Sequence, residues 1–492
     1  MSKTTNFQSE YLMKPRLHPK QRLTLVLIAL FCTLAIVLGI VGIVFALDNP
    51  NNNYVFSGQS FFYYGIPVGK SYSILNQDWT NGISIDDFTI ATDNKNFIVK
   101  GLQVYSRTPG RASISFAYKN RIVAVFKIDA LENPILVDNQ SAILASNSNL
   151  TYIQTADIEL SSDFQASLTN CSYYGNYLKI TKQDIKNGGL FSVVKNSFIC
   201  GLRLKISGAF SGRLFGGIAH ISEESNYIDN FVDGDITIST DGAENSIGGL
   251  FGQLYAEKFN TILESKSSLP TISYCTSNIN ISITAIGRKS YIGGIAGIVE
   301  NEILENCDNF GAITLIQNLL PTDADEVIIG GIAARISGND PLYPLTYGLY
   351  TGINLKGSGS IFVNSLGGDK YTPITIGGIA GILEDYNLSC SSSSANMKVI
   401  TDGADVYVGG IIGQGKYSLP QSTTRMLIDK SEYLSTIELS TLGNVYAGSI
   451  AGKTFCVNIA SDCSTLNANI VLSSHDPNKS INIGEIYGVA TN

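Results

Sequence analysis

Histidine, tryptophan and methionine are scarce in this chain of 492 residues, which contains three, one and four of them. His18, His220 and His475 are too scattered to form a zinc site or a catalytic triad. The chain also has no HExxH, CxxC or GxGxxG pattern, so it lacks the motifs of zinc proteases, cysteine metal sites and dinucleotide-binding loops. We therefore predict neither a metal nor a cofactor.

Charged side chains make up only 15% of the chain, against 44% hydrophobic residues, which is typical of a globular protein. The 33 basic and 41 acidic residues give a net charge of −8. Residues 1–22 hold five of the basic residues and one acidic residue, so the remainder carries −12. This acidic balance disfavours nucleic acid and anionic lipid as partners of that remainder.

Residues 23–47 contain no charged side chain and follow the basic leader of residues 1–22. As a helix of ~1.5 Å per residue, this stretch is long enough to cross a hydrocarbon core of ~30 Å. The basic flank predicts a cytosolic N-terminus and an extracellular or lumenal C-terminal part. The alternative is a signal peptide cleaved near Val44 and Ala46, but the apolar run is longer than the usual ~7–15 residues.

The expected topology of this signal anchor can be tested on intact cells. Protease added outside should remove an epitope placed at Asn492 and spare one placed at Ser2, because only the C-terminal part is exported. A mature N-terminus at Leu47 would show instead that the segment is cleaved.

Glycine and tyrosine are abundant, with 48 and 25 residues, and this favours an all-β protein. Many glycines belong to a repeated motif whose clearest copy is YIGGIAG at residues 291–297. Alternating apolar segments such as residues 280–284 precede the motif, so the repeating unit consists of strands. Full or degraded copies begin at Gly188, Gly216, Gly248, Gly293, Gly330, Gly377, Gly409, Gly448 and Gly484.

Each glycine pair is predicted to form a corner of a β-solenoid, because glycine permits both positive φ and close approach of neighbouring coils. At roughly 30 residues per repeat, the chain from residue 171 onward would form about ten coils. The predicted corner glycines are Gly248, Gly249, Gly293, Gly294, Gly330, Gly331, Gly377, Gly378, Gly409 and Gly410. The apolar residues after the pairs should stack as one internal column, consisting of Ile218, Leu250, Ile295, Ile332, Ile379, Ile411 and Ile450.

The repeat resembles that of the GLUG-repeat proteins, named for glycine, leucine, a variable hydrophobic residue and glycine. Residues 249–252 match it literally, and residues 294–297, 378–381 and 410–413 match with isoleucine for leucine. His220 and Ala334 replace the last glycine in two copies, and Ser449 replaces a first glycine. The resemblance covers residues 131–492 and implies a β-helix on a surface or secreted protein, often an adhesin.

Residues 48–130 lack glycine pairs and contain short strands separated by turns, such as the Pro109-Gly110 turn. This pattern predicts a small β-sandwich-like domain, and the segment around that turn weakly resembles a bacterial immunoglobulin-like domain. The alternative is an irregular cap on the solenoid. The predicted organisation is therefore a leader at 1–22, an anchor at 23–47, this domain at 48–130 and the solenoid at 131–492.

Six of the eight cysteines precede a glycine pair by similar distances and were expected to occupy about the same position in different coils. They could stack inward as small apolar side chains or form disulfides between neighbouring coils. The candidate pairs are Cys171 with Cys200 and Cys275 with Cys307. Sequons that could be N-glycosylated in a eukaryotic host stand at Asn139, Asn149, Asn170, Asn387 and Asn478, and a sixth, Asn280, lies within a predicted strand.

No catalytic constellation stands out, so we predict a non-enzymatic surface protein that binds a glycan or a protein, or that acts as a coat. The alternative is a polysaccharide-active β-helix enzyme, for which Asp86, Asp87 and the acidic loop with Asp323, Asp325 and Glu326 are the candidate carboxylates. Converging charged side chains would favour the enzyme, and a face of Tyr, Ser, Thr and Asn would favour binding. We expect the exported part to be monomeric, because Glu485 in the last repeat opposes pairing at the edge.

Overall fold

The computed structural model describes residues 60–74, 78–143, 147–240, 243–256, 270–286, 288–317, 326–338, 351–365, 372–418, 426–465 and 468–491. The predicted leader at 1–22 and anchor at 23–47 lie outside these ranges. Within them, no helix is long and apolar enough to span a membrane. All the described residues belong to one compact unit, Gln59–Asn492.

The described part of the chain is all-β and forms a β-solenoid with four long parallel sheets, as predicted. Each full coil visits sheets A, B, C and D in turn, and each strand pairs with the same strand of the next coil. Sheets A and D have eleven strands each, which corresponds to eleven coils, and nine of these begin at or after residue 171, against about ten expected there. Parallel pairing follows because every repeat enters each sheet in the same direction.

The strands of the four sheets have the following bounds. Sheet A contains Ile135–Val137, Thr151–Gln154, Ser172–Tyr174, Phe198–Cys200, Asn226–Ile228, Thr271–Ser273, Ile303–Glu305, Thr351–Ile353, Asn387–Ser389, Met426–Asp429 and Val457–Ile459. Sheet B contains Ile158–Leu160, Lys179–Gln183, Arg203–Ser211, Phe231–Ser239, Thr276–Ala285, Asp308–Asn309, Ile313–Gln317, Lys356–Gly357, Ile361–Ser365, Ser392–Ser393, Met397–Thr401, Glu432–Tyr433, Thr436–Thr441 and Asn469–Ser474. Sheet C contains Leu214–Gly216, Glu244–Gly248, Lys289–Gly293, Glu326–Gly330, Ile374–Gly377, Val406–Gly409, Val445–Gly448 and Ile481–Gly484. Sheet D contains Asn147–Ser148, Ala166–Thr169, Phe191–Lys195, Ala219–Glu223, Phe251–Tyr255, Ala296–Glu300, Ala333–Ser337, Ala380–Glu384, Ile412–Lys416, Ala451–Phe455 and Tyr487–Thr491.

The N-terminal part, before the solenoid, has two small sheets. One contains Ser60–Pro67, Arg121–Leu131, Gly110–Tyr118 and Thr89–Thr92, and the other contains Ser71–Ser73, Gln103–Ser106 and Phe97–Lys100. Short 3-10 helices span Asp78–Thr80, Ile85–Asp87 and Gln140–Ala142. Trp79 packs on Phe88, Phe116 and Phe126 between these elements. This part joins the solenoid through the Asn176 side chain, which accepts from the Gly65 N–H and donates to the Gly65 carbonyl, both at 2.9 Å.

The glycine pairs lie where sheet C passes into sheet D, so the chain turns there. The predicted positive φ is not found at any of the ten corner glycines. Space is the actual requirement: a Cβ on Gly293 would lie 1.8 Å from the Ala296 carbonyl oxygen, and one on Gly294 would lie 2.2 Å from the Gly331 carbonyl oxygen. Both positions are glycine because a side chain there would collide with the backbone of the same turn or of the next coil.

The predicted apolar column is present beside this bend. Ile295 and Ile332 are fully buried in the main core, and the Ile295 N–H donates to the Ile332 carbonyl at 2.8 Å. Ile332 donates in the same way to Ile379 at 2.9 Å, so the backbone ladder continues through the corner. Every predicted member of the column has the same burial.

Left-handed residues occupy the two junctions on either side of sheet A instead. Asn301 (φ 59°) precedes one sheet A strand and Asn306 (φ 53°) follows it, and both are asparagine, which tolerates this conformation. Other coils place Asn170, Asn196, Asp229, Asn354 or Asp385 at these junctions. The junctions of sheet A, and not the ten corner glycines, therefore hold the positive φ, most often with asparagine or aspartate.

The four candidate disulfide cysteines are free thiols, so neither predicted pair is bonded in the structure. Cys200 is in register with Tyr174, three residues beyond Cys171, which places the first two cysteines at different junctions. Cys275 and Cys307 do occupy equivalent positions, between the paired residues of neighbouring coils. Their thiols donate separately, Cys275 to the Ser273 carbonyl at 3.4 Å and Cys307 to the Ile272 carbonyl at 3.4 Å. The structure therefore contains these four cysteines as buried free thiols and not as disulfides between coils.

Candidate functional site

A groove runs along the outside of the solenoid at the glycine bend, where the outer side chains of sheets C and D face one another. The sheet C row consists of Tyr291, Ile328, Thr375, Tyr407 and Tyr446, in register from coil to coil. The sheet D row consists of Ile298, Arg335, Ile382, Gln414 and Lys453. These two rows define the groove.

Contacts across the bend show that the groove is concave. The Gln414 amide donates to the Thr375 hydroxyl at 3.0 Å, and Lys453 Nζ lies 5.5 Å from the ring centre of Tyr407 and 5.7 Å from that of Tyr446. Residues Tyr291, Ile298, Ile328 and Ala334 form a buried cluster that is separate from the main core. Side chains on the outer faces of two neighbouring sheets can touch only if the sheets meet at a concave angle on the outside of the solenoid.

The last glycine of the motif makes room for this arrangement. A Cβ on Gly381 would lie 2.5 Å from Ile328 Cγ2, and one on Gly413 would lie 2.7 Å from Thr375 Cγ2. These glycines therefore leave room for the outward side chains of sheet C in the groove. His220, which replaces this glycine in an earlier coil, is largely buried beside Phe210 and Phe215, and burial lowers its pKa to about 4.

Charged side chains concentrate in the middle of the groove, around a cavity of about 290 Å³. Arg335 Nη2 lies 2.6 Å from Glu384 Oε2, and Lys416 Nζ lies 3.8 Å from Glu384 Oε1. Lys289 Nζ lies 3.5 Å from Glu326 Oε2, and burial raises the pKa of Glu326 despite this lysine. Three cations therefore face two carboxylates, and every one of them has a partner.

Towards the C-terminus the groove becomes mainly aromatic, with Lys453 as a cation beside the rings. The rings of Tyr407 and Tyr446 stack with 4.8 Å between their centres and 4° between their planes. Both rings are partly exposed, as is the Gln414 side chain, whose amide donates to the buried Thr375 hydroxyl. This part can offer hydrogen bonds and an apolar ring edge to one ligand, as sites for polar organic molecules do.

The sequence identified only one groove residue as a candidate. Glu326 was proposed within the acidic loop, whereas Asp323 and Asp325 lie outside the described residues. Asp86 and Asp87 are exposed in the short helix Ile85–Asp87 of the N-terminal part and do not line this groove. The sequence feature that could have revealed the groove is the residue two positions before the first glycine of each motif copy, which is tyrosine in three copies.

The sequon asparagines are distributed away from the groove rows. Asn139, Asn149, Asn170 and Asn478 are exposed, so their glycosylation stays a prediction that the fold permits. Asn387 is partly buried and accepts a hydrogen bond from the Leu427 N–H at 2.9 Å. Asn280 is exposed, but its amide already bonds to Asp235 and to the Ala312 N–H.

No family model, curated protein or solved structure matches this chain.

Proposed function

We propose that the chain is a membrane-tethered surface protein whose solenoid binds an extended glycan in the groove. The observation that carries the proposal is the groove itself, in which equivalent rows of side chains recur in successive coils. Because coils repeat every ~4.8 Å, a ligand with repeating units can contact the groove at successive coils. A polysaccharide is such a ligand.

The chemistry of the rows supports a glycan over an apolar or strongly charged partner. Tyr407 and Tyr446 offer aromatic surface for the C–H faces of a sugar, and the partly exposed amide of Gln414 offers hydrogen bonds for hydroxyl groups. The three cations of the middle section are each paired with a carboxylate, which reduces their attraction for a polyanion. The resemblance to GLUG-repeat proteins, many of them adhesins, agrees with this proposal.

The tether is the second part of the proposal. An uncharged stretch at 23–47 after a basic leader would hold the solenoid at the outer or lumenal face of a membrane. The partners of the protein would then be the membrane, through this helix, and a glycan, with protein ligands and a coat role as the remaining options. We also propose that the exported part is monomeric.

A glycan array tests the binding proposal directly. The purified full chain should bind a defined set of glycans, and the double variant Tyr407→Ala/Tyr446→Ala should bind them roughly 30-fold more weakly, from about 1 kcal/mol per ring. Tyr105→Ala, on the small three-stranded sheet, is the matched control and should bind normally. If the double variant bound glycans as tightly as Tyr105→Ala, and both unfolded at the wild-type temperature, the groove would be ruled out as the binding site. If the wild type bound no glycan, the coat role would be favoured.

A polysaccharide-cleaving enzyme is the second candidate, and one observation favours it. Glu326 and Glu384 line the same cavity in different environments: burial raises the pKa of Glu326, whereas Glu384 contacts Arg335 and Lys416. A carboxyl group with a raised pKa in the same cavity as a second carboxyl group matches the acid and base of glycoside hydrolysis. Release of reducing ends from a bound glycan by the wild type, but not by Glu326→Gln, would establish this activity.

A further inference from the structure

A second cavity, of about 270 Å³, lies between the N-terminal sheet and the solenoid. Phe61 and Tyr63 of the first strand line one side, and Tyr274 and Asp229, from the junctions of sheets A and B, line the other. Asp308, at the start of a sheet B strand, completes the lining together with Thr276 and Asn306. We call this cavity the strand cleft. Its volume is several times the ~30 Å³ of a water molecule, so a small organic group fits.

The wall of the strand cleft is fixed by a hydrogen-bond network. The Tyr177 hydroxyl accepts from the Tyr63 N–H at 2.9 Å and donates to Asp229 Oδ2 at 2.5 Å. Arg203 Nη2 lies 2.8 Å from Asp229 Oδ1, and its guanidinium group stacks 4.5 Å from the Tyr177 ring centre. Asp229 is therefore neutralised by Arg203, and the cleft is held open by its own side chains.

Asp308 differs from Asp229 because its carboxylate accepts no hydrogen bond and forms no ion pair with any residue that the structure describes. It is partly buried, and Lys356 of the next coil interacts with it electrostatically. A partly buried carboxylate without a hydrogen-bond or ion-pair partner favours a cation beside it.

Three aromatic rings, those of Phe61, Tyr63 and Tyr274, line the same cavity as this carboxylate. Phe61 and Tyr274 are 42% and 47% exposed, which is high for large apolar side chains that face one cavity. The Tyr63 ring already contacts one cation of the chain, Lys127 Nζ, at 5.3 Å from its centre. Aromatic rings together with a carboxylate are the combination that recognises organic ammonium groups.

We propose that the strand cleft binds an organic ammonium group, with Asp308 as the counter-ion and the rings of Phe61, Tyr63 and Tyr274 around it. The group could belong to a small quaternary amine or to a lysine side chain, since both present the same charge. This site is separate from the groove, and it stands whether or not the groove binds a glycan.

Calorimetry on the full chain tests the proposal with three probes. They are choline, Nα-acetyl-lysine methylamide with a free side-chain ammonium group, and 3,3-dimethylbutanol as the neutral isostere of choline. At least one of the two cations should bind, and the relative affinities of choline and the lysine derivative identify the source of the group. Asp308→Asn should weaken binding about tenfold, and Tyr274→Ala should weaken it as well. Asp86→Asn, an exposed aspartate elsewhere, is the matched control and should have no effect.

The proposal is overturned by any of three results: neither cation binds, the neutral isostere binds as tightly as choline, or Asp308→Asn binds as the wild type does. Thermal unfolding of Asp308→Asn should match that of the wild type, because the substitution keeps the shape of the side chain. Tyr63→Phe gives a second variant that keeps the ring and should retain binding.

Discussion

Alanine at Gly293 should destabilise the chain by about 3 kcal/mol or more in chemical unfolding, or prevent folding altogether. The added Cβ would lie 1.8 Å from the Ala296 carbonyl oxygen and 2.8 Å from Ala333 Cα of the next coil, and both obstacles are backbone. Relief would require moving a bend that is repeated along the solenoid. Gly294→Val should be at least as damaging, because its Cβ would meet Asn309 and the Gly331 carbonyl, both at 2.2 Å.

Gly69→Ala is the control that separates space from backbone conformation. Gly69 has a φ of +76° and no atom within 4 Å of an added Cβ, so alanine there is strained but not crowded. It should cost only about 1 kcal/mol. If Gly69→Ala destabilised the chain more than Gly293→Ala, conformation and not space would explain the glycines, and our account of the bend would be wrong.

Methionine at Lys182 should destabilise the chain by roughly 3 kcal/mol. Lys182 is fully buried, and its ammonium group donates to the carbonyl oxygens of Phe164 at 2.6 Å, Gly188 at 2.8 Å and Gly189 at 3.0 Å. Methionine fills a similar volume but leaves these three carbonyl groups without their donor. Unfolding in denaturant measures the loss.

The pH dependence provides a second measure of the same side chain. Burial lowers the pKa of Lys182 from 10.5 to about 8, so between these values the unfolded chain binds more protons than the folded one. Stability attributable to this group therefore rises with pH across that window, and Lys182→Met should abolish the rise. Lys186→Met, at an exposed lysine, should change neither stability nor its pH dependence. A Lys182→Met variant as stable as the wild type would contradict the assigned role.

The repeat predicts much of the fold because the same packing problem recurs in every coil. Ile295 and Ile332 could be assigned to one buried column since each follows a glycine pair at a constant distance. The cysteines could not be aligned in this way, because their distance to the next glycine pair includes loops of variable length. Cys171 and Cys200 therefore seemed equivalent although they lie at different junctions.

The candidate sites were largely hidden for a different reason. Alternation along a strand identifies which side chains point outward, but it does not reveal that sheets C and D meet at a concave angle. Tyr407 and Tyr446 therefore read as two ordinary exposed tyrosines until their stacking across coils is known. The strand cleft depends on contacts between Phe61 and residues more than 150 positions away, which no local pattern encodes.

The measurement that tests the central proposal most directly is binding affinity as a function of glycan length. Size-fractionated oligosaccharides of the strongest array ligand would be titrated into the full chain by calorimetry. If the groove binds an extended glycan, affinity should rise with each added sugar until the exposed part of the groove, from Arg335 to Tyr446, is covered, and the rise should be reduced in Tyr407→Ala/Tyr446→Ala. An affinity that is already maximal for a single sugar, and unchanged in that variant, would contradict the proposal.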